Sequence, residues 1–167
     1  ITNLHPEHIE AHGSFERYRA AKAQFFFDVA HRSVKHEKLF FVNDRMDGKE
    51  YFERAANGSG KVIPFHRDDF IYNDLSARYR LDSRAAKKMI SSWLQNDFNL
   101  ENVAAAVAFA HAQGISPDII FHTLEHFQGV QGRMEYVTRQ SFSVVIDYAH
   151  TPDSLQAVYK ALSNDGA

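Results

Sequence analysis

The sequence predicts an α/β fold, a mostly parallel sheet flanked by helices and followed by one further β-α unit, and three observations carry that expectation. LFFVN at 39 to 43 and KVIPF at 61 to 65 are short apolar runs on either side of a helical stretch, the alternation of βαβ units. Val144, Val145 and Ile146 form a continuous apolar run of the kind a strand covered on both faces requires, with Asp147 at its carboxyl end. A helix should follow at once: Thr151 can cap it, Pro152 suits its first turn, and Leu155, Val158, Tyr159 and Leu162 fall on one buried face. Ligands of open α/β sheets bind beside the carboxyl ends of strands, which makes Asp147 a candidate contact.

Taken in order, Ile1, Thr2 and Asn3 read as the end of a strand, and because Ile1 is not a start methionine the chain is expected to be cut from something longer. After the loop LHPEHIEAHG, Ser14 caps a helix running to about residue 31, with Glu16 in its first turn. The strand at 39 to 43 leads to a helix near 47 to 56, a turn at 57 to 60 and the strand at 61 to 65. Residues 66 to 85 are ambiguous, a short antiparallel excursion at the sheet edge being one reading. A helix at 100 to 113 takes Asn99 as cap and Gly114 as stop, and another spans 117 to 127. GVQGRMEYV is a connector into a new strand, so a domain boundary is placed at Gln131, dividing the chain into 1–131 and 132–167.

A chain of 167 residues with 44% hydrophobic side chains can build one ordinary core or pieces of two. Its 19 basic and 21 acidic residues leave a net charge of -2, which gives no electrostatic case for nucleic acid or an anionic membrane. An anionic ligand must then be met locally. The absence of cysteine excludes a disulfide scaffold and thiolate metal sites and favours the cytoplasm. No apolar run approaches the roughly 20 residues that a membrane span needs, and the amino terminus is not a signal sequence.

Lys22 is the residue the pattern singles out. Phe15, Tyr18, Phe25, Phe26 and Val29 define the apolar stripe of the first helix and Lys22 lies on it, so its amine should be partly buried. Burial favours the neutral amine, and a neutral amine can take up carbon dioxide as a carbamate, an oxygen ligand for a hard cation such as magnesium. A snorkelling lysine whose stem covers apolar surface is the plainer alternative. His5, His8 and His12 could meet on zinc, but Pro6 and Gly13 argue against the regular helix that would align them. Asn99 and Asn102 suit capping, and their amides also offer the paired donor and acceptor that an aminopurine edge needs. Arg133 is either a solvated loop arginine or a fork for phosphate oxygens, and Asp147 either a turn acid or a ligand contact. NGSGKV at 57 to 62 hints at a phosphate-binding loop, but Ala55 stands where a glycine is required and Val62 where a hydroxyl is, so it is read as a turn.

Four segments carry a resemblance: ITNLHPEHIEAHGSFERYRAAK, FNLENVAAA, GRME and DYAHTPDS. In this order they resemble the Mur ligase family, and DYAHTPDS points to its UDP-N-acetylmuramoyl-tripeptide synthetase branch. The match is close at 1 to 28, 97 to 114 and 129 to 163, and loose between 35 and 95. The resemblance implies that 1–131 is the second half of a central ATP-binding domain and 132–167 the start of a Rossmann-like carboxyl-terminal domain. It also implies ATP-dependent amide-bond formation, in which a diamino acid is joined to a UDP-N-acetylmuramoyl dipeptide through an acyl phosphate, with ATP and magnesium as cofactors.

By the same resemblance His8 and a carbamylated Lys22, fourteen positions apart, are catalytic and hold the metal. Asn99 and Asn102 meet adenine, Arg133 reaches the nucleotide, Asp147 binds ribose and His150 lies near the γ-phosphate, the last three arriving by domain closure. Glu7 and Glu10, where aspartate is commoner, and Ala11, where tyrosine is, depart from the family pattern and bear on the loop's contacts. The implied partners are the UDP-N-acetylmuramoyl peptide and the amino acid, with no nucleic acid and no membrane insertion, in a cytoplasmic monomer. The family's P-loop lies upstream of the matched region, so these 167 residues alone are expected to be inactive. A folylpolyglutamate or cyanophycin synthetase type of ligase, or a non-catalytic Mur-like nucleotide-binding module, stays open at this point.

Overall fold

Ser14 starts the first long helix as its chemistry predicts: its hydroxyl accepts the N–H of Arg17 at 3.2 Å, and α2 then runs Phe15–Arg32 after a single turn, α1, at Ile9–His12. These positions come from a computed structural model, which describes residues 1–6 and 9–164. The chain forms two compact units, Ile1–Phe70 with Glu101–Ile115, and Ile71–Leu100 with the described residues from Ser116 onward.

In the first unit β1 (Leu39–Asn43) and β2 (Lys61–Phe65) pair in parallel, from Leu39 opposite Lys61 to Asn43 opposite Phe65, joined by α3 (Lys49–Ala56). Ile1 lies on the other side of β1, where its nitrogen donates to the carbonyl of Phe41 at 2.6 Å and its carbonyl accepts from Asn43 N–H at 3.0 Å, the bonding of a parallel neighbour. The opening residues therefore run as a strand end does, with β1 central. β2 is the edge: Pro64 has no N–H, and the hydrogen-bond alternation turns that position away from β1. One face of β1, through Phe40 and Val42, packs on Tyr18, Phe26 and Ala30 of α2 and on Phe52 and Ala56 of α3. The Phe26 ring stands 5.4 Å from that of Phe40 and 5.2 Å from that of Phe52. Each such phenyl removed from water contributes roughly 2–3 kcal/mol, and Phe52 is wholly buried. On the opposite face Phe41 meets Phe109 of α7 (Asp97–Ala112), so β1 is covered on both sides, as its unbroken apolar run predicts.

Both glycines of NGSGKV have structural reasons. Gly58 turns the chain at φ +79°, and a Cβ at Gly60 would lie 2.6 Å from Phe40 and 2.7 Å from the Lys38 carbonyl oxygen. The segment is a tight entry into β2.

Three expectations need correction. Residues 66 to 85 contain no strand: α4 (Arg67–Asp69), a π-helical turn at Phe70–Ser76, α5 (Ala77–Tyr79) and α6 (Ser83–Lys87) follow one another. Each piece is too short to show a periodicity, and they are held by burial of Phe70, Ile71 and Leu75 and by Asp82, which accepts from Arg84 and Ala85 at 2.9 Å. Asn99 is not a cap, because α7 begins at Asp97, after a 3-10 turn at Ser92–Gln95. The third concerns the chain's last elements. β4 (Ser143–Ile146) pairs antiparallel with β3 (Glu135–Arg139), and Val144 and Ile146 are exposed instead of covered. Among the described residues β4 has β3 as its one strand neighbour, and Val144 and Ile146 are left open to solvent.

α8 spans Pro117–Glu125 and α9 Pro152–Asn164. Thr151 caps α9, accepting the N–H of Ser154 at 3.3 Å. Leu155 and Tyr159 of its expected inner face are exposed. Among the described residues no helix is long and apolar enough to cross a membrane.

Candidate functional site

The row Tyr18, Lys22, Phe26, Ala30 recurs every four residues along α2, and three of its members are buried. Lys22 is the polar member of that ridge. Its side chain is half-buried and its Nζ lies 4.9 Å from the centre of the Tyr18 ring. Phe25 does not belong to the stripe, being 68% exposed. His8 lies outside the described residues, as does Glu7, so nothing can be said of the distance from His8 to Lys22 or of the three-histidine cluster. His12 packs edge-on against the same Tyr18 ring at 5.4 Å, a neighbour the sequence pattern did not assign to Lys22.

An amine offers a hard cation no oxygen, so Lys22 suits magnesium only after conversion to a carbamate. One carboxylate oxygen near the mouth of the sheet is open in another way: Asp44 Oδ1 is buried without a hydrogen bond, Arg45 Nε lying 3.6 Å away.

At the carboxyl ends of β1 and β2 sits a polar cluster that the sequence reading missed. Asn43, 6% exposed, donates through Nδ2 to the Thr2 carbonyl at 2.9 Å and to Glu101 Oε2 at 3.2 Å, while its Oδ1 accepts from Arg45 N–H at 3.0 Å. His66 Nδ1 accepts the Asp68 N–H at 3.2 Å, which leaves the proton on Nε2, 3.1 Å from Glu101 Oε1. Glu101 thus ties α7 to both strand ends. Polar residues straight after two apolar strand runs were the available signal.

In the second unit the remaining candidates converge. Asn99 is buried and its Nδ2 donates to the Trp93 carbonyl at 2.7 Å; Trp93 Nε1 in turn donates to the Arg133 carbonyl at 2.8 Å. The Arg133 guanidinium stands 4.8 Å from the centre of the Tyr148 ring, and the His150 ring packs on the same tyrosine at 5.0 Å. Both Asp147 oxygens are engaged, Oδ2 by Met134 N–H at 2.9 Å and Oδ1 by Ala149 N–H at 2.7 Å. Asp147 is therefore a turn acid here, with one further lone pair on each oxygen. The turn it holds is a costly one, since Met134 sits at φ +45°. Arg133, Asp147 and His150 are brought together, and Trp93 and Tyr148, which the sequence reading passed over, are what join them. Asn102 is exposed in the next turn of α7 and shares a helix face with Asn99.

The model of the Mur ligase middle domain matches residues 1–110, and that of the Mur ligase glutamate ligase domain matches residues 132–166. A UDP-N-acetylmuramoyl-L-alanyl-D-glutamate–2,6-diaminopimelate ligase of Bacillus velezensis is 36% identical over 95% of this chain and 34% of its own length. The enzyme of the same name from Syntrophomonas wolfei is 33% identical over 95% of this chain and 33% of its own. The chain thus spans about a third of the length of the curated relatives it matches. A crystal structure of MurF from Acinetobacter baumannii superposes with a TM-score of 0.68 at 19% identity, covering 97% of this chain and 36% of that one, a likeness of fold alone.

Proposed function

The chain belongs to the Mur ligase family, and from that premise we propose that it is the ATP-handling portion of a cytoplasmic ligase of peptidoglycan precursor synthesis. The proposed reaction joins a diamino acid to UDP-N-acetylmuramoyl dipeptide. A substrate carboxylate attacks the γ-phosphorus of ATP and releases ADP; the incoming amine then displaces phosphate from the acyl phosphate and leaves an amide. The observation that supports this reading most is the hydrogen-bonded line from Asn99 through Trp93 to Arg133, with Asp147 and His150 beside it, because amide, guanidinium, carboxylate and imidazole are the groups a nucleotide needs.

In this reading Asn102 offers its exposed amide to the adenine edge and Asn99 fixes the helix turn from which it does so. Asp147 keeps a lone pair on each oxygen for the ribose hydroxyls, while Arg133 and His150 meet phosphate oxygens. Lys22, carbamylated, and His8 are the proposed metal ligands. Magnesium, when bound, supplies the positive charge that lets two anions approach. The division between the two family domains is placed at residues 131 and 132.

The test uses the longer protein that carries these residues, measuring phosphate release that needs both the UDP-N-acetylmuramoyl dipeptide and the diamino acid. Lys22→Ala should lower kcat by about 100-fold or more, and Asn102→Ala should raise KM for ATP with little change in kcat. Absence of phosphate release with any diamino acid, or an unaffected Lys22→Ala enzyme, contradicts the reading. The 167 residues alone, which contain no phosphate-binding loop, should form no amide.

A further inference from the structure

The end of α8 carries His122, Glu125 and His126, positions three and four apart on one helical face. All three side chains are exposed, and one ligand atom from each lies within 4.8 Å of the others. Two features go beyond proximity. His126 Nδ1 is 2.8 Å from the His122 carbonyl, which can only accept, so Nδ1 carries the hydrogen and Nε2 keeps its lone pair. A carbonyl that holds the far nitrogen in this way is the usual support of a metal-bound imidazole. The Glu125 carboxylate is likewise oriented from behind, accepting the hydroxyl of Tyr79.

We propose that His122, Glu125 and His126 form a binding site for a divalent transition-metal ion of the zinc, cobalt or nickel type, with water completing the coordination. Two imidazole nitrogens and one carboxylate oxygen suit such borderline ions and not magnesium or calcium. Bond lengths of about 2.0–2.2 Å are reached by rotating exposed side chains, at little packing cost. The face opens onto a cleft of about 500 Å³ that Arg78 and Asp118 also line. Those two are paired at 2.9 Å, so the guanidinium's charge is answered before an ion arrives. None of the three residues is among those proposed to meet magnesium or the nucleotide.

Zinc chloride titrated into the chain against a chromophoric chelator should read one ion per chain, and cobalt chloride should give a visible ligand-field spectrum. His122→Ala and His126→Ala should each weaken zinc binding by roughly tenfold or more, with Glu125→Gln weakening it less. His5→Ala with His12→Ala should leave the affinity unchanged. His122, Glu125 and His126 are exposed, and unchanged circular dichroism establishes that the fold is kept in every variant. Failure to bind zinc stoichiometrically, or equal affinity in the His122→Ala, His126→Ala double variant, overturns the proposal.

Discussion

His66 illustrates how much one side chain can organise. It is buried at the end of β2, and its Nε2 faces a Glu101 carboxylate that Asn43 also holds. Replacing it by alanine leaves part of a half-buried carboxylate without a donor, so His66→Ala should cost about 1.5–3 kcal/mol in urea unfolding. Glu101→Gln, which still accepts a hydrogen bond, should cost less. A midpoint unmoved by His66→Ala would mean that the cluster is solvated. Tyr79 gives a second prediction at this scale. Its hydroxyl is raised from 10.0 to about 12 by burial and by Glu125. Between those values the unfolded chain releases a proton that the folded one retains, so stability falls as pH rises from 10 toward 12. Difference absorbance should show one tyrosine ionising late, and Tyr79→Phe should remove that part of the alkaline loss. The decisive single residues were unequally legible. Lys22 could be read because an i, i+4 row is a local pattern, whereas His66, Glu101 and Trp93 act through partners far away in the chain. Phe25 misled because an aromatic residue beside a stripe has the same hydropathy as one on it.

At the scale of elements, the secondary structure was legible wherever local chemistry and burial agree. LFFVN buries Phe40 and Val42 on one face of its strand and partly buries Leu39 and Phe41 on the other, and Ser14 and Thr151 cap their helices with their own hydroxyls. The run from 66 to 87 was not legible, because its short helices are set by contacts of Phe70 and Leu75 and not by a repeat. β4 misled for the opposite reason: Val144, Val145 and Ile146 carry the signature of a covered strand, yet the described residues give them one partner. The link between the 3-10 turn, α7 and the connector at 129 to 134 rests on Trp93, the chain's one tryptophan. Trp93→Phe keeps an aromatic ring, though a smaller one, but loses the N–H donated to the Arg133 carbonyl, about 1 kcal/mol, or roughly fivefold in ATP affinity by calorimetry. ATP should also shift Trp93 emission in the unaltered chain. An affinity unchanged in Trp93→Phe would show that the connector's position does not depend on this bond.

For the whole molecule, two family domains matched in order establish the family and MurF shares the fold, while the chemistry proposed above turns on one lysine. Lys22 stands half-buried in a row with Tyr18, Phe26 and Ala30, and a carbamate on its amine would supply the oxygen ligand that the proposed chemistry needs. The most direct measurement is carbon NMR of the protein equilibrated with isotopically labelled bicarbonate. A carbamate carbonyl resonance that is present in the unaltered protein and absent in Lys22→Arg is the predicted result. A spectrum without that resonance, or one in which it survives Lys22→Arg, contradicts the account.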